Sequence, residues 1–496
     1  MKRLEQLTFT RFIIIILVLF AHDTTGPYLR PLLFFPLTAL IRSGSTGVSY
    51  LFIMSGFVMA LVYFRPEKKF DFLTFWRTRF IRLYPLYILA FLLTCVYYYD
   101  AFLVVKPQKI LANIFIIQAW IPAYAQSFNF VAWSMAVEIF FYFFFPFFVL
   151  WAYPQSTRKL IWFAVIVWAV NMAIYHILWI GYITTNRELV LYFPPLYFGS
   201  FVMGVVGGIW YLRIGRDENL SSGKRFAVLA ISFLLLAVYT IISTDFIPVL
   251  PHLIQPITGF LAPLLILFIV ALSLDQSIIS RFLSHPKLVN LGELSYALYI
   301  LHIPVLWLYK QALKAAGVAD VQNILNLTFL PLILLVAFVT HWYIDTPIRK
   351  WMKEFFDTIH LRALLLDFAI FIPVAFFIFQ IRFSEREYRL LYREMERLVF
   401  WTAFFARPLF SLILGTYSPK VMLKPGYQWA LRAILAVTLG SIAMASSAYI
   451  GYRTGWFENF PRSIFVTDWL IVLPLSLAAR YAFRLFSKPK AAPLPA

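Results

Sequence analysis

Long stretches of this chain carry no charge at all. No Asp, Glu, Lys or Arg interrupts residues 83–99, nor 139–157, a run dominated by Phe, Tyr and Trp. A helix needs about 20 mostly apolar residues to cross a hydrocarbon core of about 30 Å. On that ruler ten spans fit before residue 350, near 7–22, 46–64, 83–100, 132–153, 160–181, 191–212, 226–244, 256–274, 288–308 and 325–343. Only 13% of the 496 residues are charged and 62% are hydrophobic, whereas soluble chains run near a quarter charged. So little charge cannot coat several soluble domains. The expected fold class is an all-α polytopic membrane protein, its lipid-facing backbone satisfied within helices.

The formal net charge of +20 does not point to nucleic acid, because the basic residues sit in short clusters between apolar runs. With the N-terminus in the cytoplasm, the inner loops hold Arg65, Lys68, Lys69, Arg77, Arg79 and Arg82, then Arg158 and Lys159, then Arg213, Arg216, Lys224 and Arg225, then Arg281 and Lys287. The outer loops hold fewer: Arg30, Arg42, Lys106, Lys109, Arg187, Lys310 and Lys314. This bias follows the positive-inside rule and places both ends of the ten-span block inside. Met1-Lys2-Arg3 opens a retained first span rather than a signal peptide, since no small-residue cleavage site follows. The single cysteine, Cys95, excludes a disulfide framework or cysteine metal site and reads as a buried, inert thiol. Residues 101–131, with Pro107, Pro122 and Asn129, read as an external loop on or dipping into the membrane.

Beyond residue 360 the pattern changes. Apolar runs cover 363–381, 398–416, 429–450 and 464–482, and 383–397 mixes charge and hydrophobes at helical spacing, as an amphipathic interfacial or partner helix does. Two domains are expected: 1–355, a ten-span core, and 360–496, a membrane extension of three or four helices suited to oligomer or partner contacts. Arg407 and Pro408 leave a re-entrant hairpin open as an alternative for 398–416. The tail from Ser487 reads as disordered.

A charge held at bilayer depth costs about 2.5–3.5 kcal/mol on insertion scales, so each one asks for a reason. Arg11 and His22 lie about 16 Å apart along a helix and project from nearly the same face. They suit either interfacial anchoring or a polar lane with a cation at the inner end and a proton-accepting imidazole at the outer. Ser55 and Gly56 suit close helix packing, with a hydroxyl to spare. Arg79 and Arg82, spaced i and i+3, share a face and can clamp phosphate with paired N–H groups, or anchor the helix inside. Glu138 sits one turn into an apolar helix and must be paired, protonated or facing a cavity. Ser295, Tyr296, Tyr299 and His302 form one polar stripe, and Asp345 closes the tenth span. His176, His252, His285, His341 and His360 join no such stripe and read as interfacial or core residues.

In order along residues 1–350, these segments resemble the acyltransferase-3 family of integral-membrane acyltransferases: Arg11 and His22; Phe-x-x-Ser-Gly-Phe; the arginines ending Arg-x-Tyr-Pro; Trp-Ser-x-x-x-Glu; Leu-Gly-x-x-Ser-Tyr-x-x-Tyr-x-x-His; and Asp-x-Pro. Thr78 stands where the family often has a second arginine, and Asp345 where glutamate is common. Residues after about 360 lie outside the resemblance and are not the soluble hydrolase-like domain sometimes fused to such proteins. The resemblance implies transfer of an acyl group, commonly acetyl, from cytoplasmic acyl-coenzyme A to a hydroxyl of a carbohydrate or glycolipid, in a bacterial inner membrane and without a metal. Arg11, Arg79 and Arg82 are then expected to hold the donor. His22 is expected as general base or acyl-histidine relay, Glu138 to orient His22 or carry protons, and Ser55 or Tyr296 to stabilise the thioester oxyanion. A transporter or flippase using Arg11, His22 and Glu138 as a polar pathway is the competing class.

Overall fold

The computed structural model describes residues 4–22, 44–98, 107–214, 222–241, 259–357, 361–382, 386–422, 426–453, 455 and 460–487. The readings placed on Arg30, Arg42, Lys106, Arg216, His252, His360, residues 101–106 and 383–385, and the tail past Ser487 lie outside these. Among the described residues every regular element is helical, as expected of a polytopic membrane protein. Eight helices among the described residues are long and apolar enough to cross a membrane, and a ninth if Pro286–Glu293 and Ser295–Ala315, bent by 47°, count as one span. Other expected spans are shorter within the described residues. Glu5–Ala21 has 17 residues and Ala262–Leu274 has 13, about 25 Å and 20 Å of helix.

Two compact units divide the chain, Met1–Arg349 and Lys350–Ala496. In the first, the helices that build the site are α1 (Glu5–Ala21), α2 (Gly44–Tyr63), α3 (Phe72–Tyr97), α4 (Trp133–Ala152), α5 (Phe198–Ile214), α6 (Pro286–Glu293), α7 (Ser295–Ala315) and α8 (Val321–Val339). α2 packs along α5, α1 lies against α2 and α6, and α7 lies against α3 and α8. Glycine sets the closest approach: a Cβ on Gly56 would collide with the Phe201 carbonyl, and one on Gly204 with that of Ile53. Small residues let backbones meet this way in lipid, where no hydrophobic force drives helices together.

α3 begins eleven residues before the span expected at 83. Asp71 caps it, its carboxylate accepting from the Thr74 N–H at 3.2 Å and the Thr74 hydroxyl at 2.7 Å. The cluster Arg77, Arg79 and Arg82 therefore rides on the helix itself. Pro107–Ala132 folds as a short helix and three 3₁₀ turns. It is packed into the unit: Asn113, Gln118 and Asn129 are buried, and Tyr87 donates to the Asn113 carbonyl at 2.6 Å.

Prolines inside helices create polar needs that neighbours meet. Pro146 has no N–H for the Tyr142 carbonyl four residues back, and the Trp76 indole N–H donates to that oxygen at 2.9 Å. Pro304 likewise orphans the Ile300 carbonyl, which takes the Asn129 side-chain amide at 2.8 Å. In an apolar surround each such bond replaces an unsatisfied carbonyl. α8 runs on into a π-helical turn, Thr340–Asp345.

The second unit holds four long helices, Leu361–Arg382, Arg386–Ile413, Gln428–Arg453 and Arg462–Ser487. The charged segment 386–397 and the apolar run after it form one continuous helix that passes through Pro408, so the hairpin alternative is corrected. Its cause is charge pairing. Arg407 is fully buried and bonds Asp468, with its guanidinium 5.5 Å from the Phe371 ring. Neutralised there, it has no need to break the helix to reach water. Arg480 pairs with Asp367, which also accepts from the Tyr417 hydroxyl at 2.7 Å.

Trp76→Phe is expected to destabilise the first unit by about 1–3 kcal/mol, the cost of an unsatisfied buried carbonyl. Adding Pro146→Ala returns an N–H to Tyr142 and should recover most of that loss. Thermal unfolding in detergent reads both, and a double variant no better than Trp76→Phe alone would contradict the pairing.

Candidate functional site

Six of the seven residues singled out in the sequence line one cavity of about 150 Å³: Arg11, Ser55, Arg79, Arg82, Glu138 and Tyr296. They come from α1, α2, α3, α4 and α7, which explains why no single motif defines the site. A wider hollow of about 740 Å³ adjoins it and shares Arg11, Arg82, Ser295 and Tyr296. It adds Arg65, Glu293, His341 and Arg349.

The two α3 arginines differ in setting. Arg79 is 6% exposed and sits in an aromatic cage, its guanidinium 5.0 Å from the Tyr63 ring and 5.6 Å from those of Phe75 and Tyr142. Such contacts are worth about 0.5–2 kcal/mol each and fix the plane of the fork. Arg82, one turn on, is exposed and faces both hollows. Arg77 lines neither, in keeping with its different helix face.

Glu138 accepts the Ser55 hydroxyl at 3.0 Å. This bond ties Glu138 to α2, and its orienting role toward His22 stays an expectation. Tyr296 donates its hydroxyl to the Leu83 carbonyl at 2.6 Å. A hydroxyl has one proton to give, so neither Ser55 nor Tyr296 holds one spare for an oxyanion in this arrangement.

His22 caps α1 and lies beyond the cavity lining, which ends on Ile15, Ser134 and Tyr299. Its ring points into the bundle. Nδ1 is 3.2 Å from Nε2 of His302, the two rings lie within 19° of parallel, and Phe130 packs edge-on at 5.3 Å. His302 is fully buried, with Nδ1 2.6 Å from the Tyr299 carbonyl oxygen. The Tyr299 hydroxyl in turn lies 2.8 Å from that of Ser134. His302 is the last member of the polar stripe on α7, but its pairing with α1 spans 280 positions and no local pattern shows it.

His341, read from sequence as interfacial or core, lines the wide hollow with Arg349. Fully buried Asp345 holds both: its carboxylate accepts from Arg349 Nε at 2.8 Å and lies 3.6 Å from His341 Nδ1. The i, i+4 spacing of Asp345 and Arg349 was a readable signal, whereas the π turn that aims these side chains leaves no mark in composition. Among the described residues no three His, Cys, Asp or Glu side chains gather as a metal would require.

Residues 4–346 match the profile of a family described as an acyltransferase domain. The acyltransferase MdmB of Streptomyces mycarofaciens is 26% identical over 285 residues, covering 53% of this chain and 68% of the relative. The O-acetyltransferase OatA of Staphylococcus aureus is 24% identical over 330 residues, 62% of this chain and 53% of its own. A putative O-acetyltransferase of the same species is 23% identical over 369 residues, 68% of this chain and 59% of that one. The match thus spans about two thirds of MdmB and little more than half of the O-acetyltransferases. No solved structure matches.

Asp345→Ala is expected to lower thermal stability, because Arg349 then keeps its charge without its carboxylate. In a double-mutant cycle with Arg349→Ala the two should couple by about 1 kcal/mol or more. Additive losses would show that the pair carries no energy.

Proposed function

Because this chain belongs to the acyltransferase-3 family, we propose that it moves an acetyl group from acetyl-coenzyme A to a hydroxyl of a carbohydrate or glycolipid, with His22 as general base. The observation that carries this reading is the gathering of Arg79 and Arg82, with Arg11 and Glu138, in the lining of one narrow cavity. Guanidinium groups aimed into a hollow of an apolar bundle suit an anionic occupant. Coenzyme A supplies phosphates at one end and a reactive thioester at the other, joined by a thin arm. Arg65, Arg82 and Arg349 would take the phosphates in the wide hollow, with the arm running past Arg11 and caged Arg79. Acetyl as the group, and oxygen as its receiver, follow the names of the O-acetyltransferase relatives.

In the proposed step, His22 takes the proton of the acceptor hydroxyl while the acceptor oxygen forms a bond to the thioester carbon. The C–S bond then breaks and the coenzyme A sulfur leaves with the electron pair, later receiving the proton from His22. The lining stops short of His22, so donor entry must open the hollow past Ile15 and Tyr299. This movement is part of the reading. The N-terminus is taken as cytoplasmic, so that the donor enters from inside and the acceptor meets His22 from the other face. Residues 360–496 are read as an accessory membrane domain outside the chemistry.

Purified protein given radiolabelled acetyl-coenzyme A and membrane glycans should label the glycan, and His22→Ala should lose at least about 100-fold in rate, the usual range for a general base. Equal labelling by both proteins would remove His22 from the mechanism. Arg79→Lys and Arg82→Lys keep the charge and lose the planar fork. Each is expected to raise KM for the donor about tenfold or more with kcat less affected, and unchanged KM in both would refute donor binding along this face of α3.

A further inference from the structure

Resting on His22 as the base, we propose that His302 sets its tautomer, holding the proton on Nδ1 of His22 so that Nε2 is the atom that attacks the acceptor hydroxyl's proton. The chain of deduction starts from a group that cannot donate. The Tyr299 carbonyl oxygen lies 2.6 Å from His302 Nδ1, so Nδ1 must carry the hydrogen. His302 is fully buried, and a second proton would place an imidazolium in an apolar bundle, which is costly without a paired anion. Its other nitrogen, Nε2, is therefore a lone-pair acceptor. His22 Nδ1 stands 3.2 Å from that acceptor and must donate to it. A neutral His22 then has its remaining lone pair on Nε2.

The opposite assignment fails at both contacts. Were Nδ1 of His22 the base, His302 Nε2 would have to be protonated, and its Nδ1 lone pair would face the Tyr299 carbonyl lone pairs. The near-parallel rings with centroids 5.3 Å apart suit an N–H···N bond. When His22 accepts the substrate proton, its Nδ1–H remains on His302 and no second transfer is needed. His302 is thus a positioning residue, acting on the acceptor only through His22. The backbone holds it from behind. Pro304 bends the hydrogen-bonding pattern of α7, and Asn129 fixes the freed Ile300 carbonyl at 2.8 Å, one residue from Tyr299.

The test compares His302→Gln with His302→Leu and His302→Met, using His22→Ala as the reference for loss of the base. A glutamine side-chain oxygen can accept from His22 Nδ1, whereas leucine and methionine fill the space without a comparable acceptor. We expect His302→Gln to keep kcat within about tenfold. His302→Leu and His302→Met should fall about 100-fold or more in kcat with KM for acetyl-coenzyme A unchanged, a wrong tautomer alone having cost about 10⁴ in a serine protease. Monodispersity and thermal unfolding, measured on all three, separate this from misfolding, and methionine stands in if leucine does not fold. Equal kcat across well-folded Gln, Leu and Met variants, with His22→Ala inactive, overturns the positioning role and leaves the base reading intact. Full activity in His22→Ala overturns both.

Discussion

A guanidinium kept inside an apolar helix bundle has to be solvated by the protein or by something bound to it. The two units of this chain answer that demand differently. In the second, Arg407 has Asp468 and Arg480 has Asp367, each arginine with its own carboxylate. In the first, Arg11, Arg79 and Arg82 share a cavity lining with Glu138. Arg79 is held by ring faces, which orient a cation without cancelling its charge. One pattern is a packing device, and the other gathers guanidinium groups around a hollow.

The shape of that hollow depends on backbone groups that the helices cannot satisfy alone. Trp76 closes the gap opened by Pro146, and the carbonyl it binds belongs to Tyr142, a cavity residue. Asn129 closes the gap opened by Pro304, next to the histidine that meets His22. Gly56 brings α2 close against α5, and the neighbouring Ser55 donates to Glu138 on α4. The polar bonds that complete the bundle are therefore the same ones that place the site.

Much of this was legible in the sequence because membrane burial makes charge conspicuous. Arg11, Arg79, Arg82 and Glu138 stood out as costs, and the structure gathers them around one cavity. The all-helical class followed from runs such as 139–157. Pairing across the chain was hidden. Nothing near His22 announces His302, and nothing near Arg407 announces Asp468, which made a hairpin seem an option for a helix that runs straight on. His341 was missed because it sits in a π turn that resets its facing, whereas the spacing of Asp345 and Arg349 could have been read. The hydroxyls of Ser55 and Tyr296 already donate to Glu138 and to the Leu83 carbonyl, partners that spacing does not reveal.

The central claim is that the arginine-lined hollow receives a phosphate-bearing donor. Calorimetric titration of the whole protein with coenzyme A, its 3′-dephospho form and pantetheine tests it without relying on turnover. Binding should weaken about tenfold or more as phosphates are removed, as expected for charge-assisted bonds, and Arg82→Gln should shrink the difference between coenzyme A and pantetheine. Pantetheine binding as tightly as coenzyme A, in wild type and Arg82→Gln alike, would contradict it.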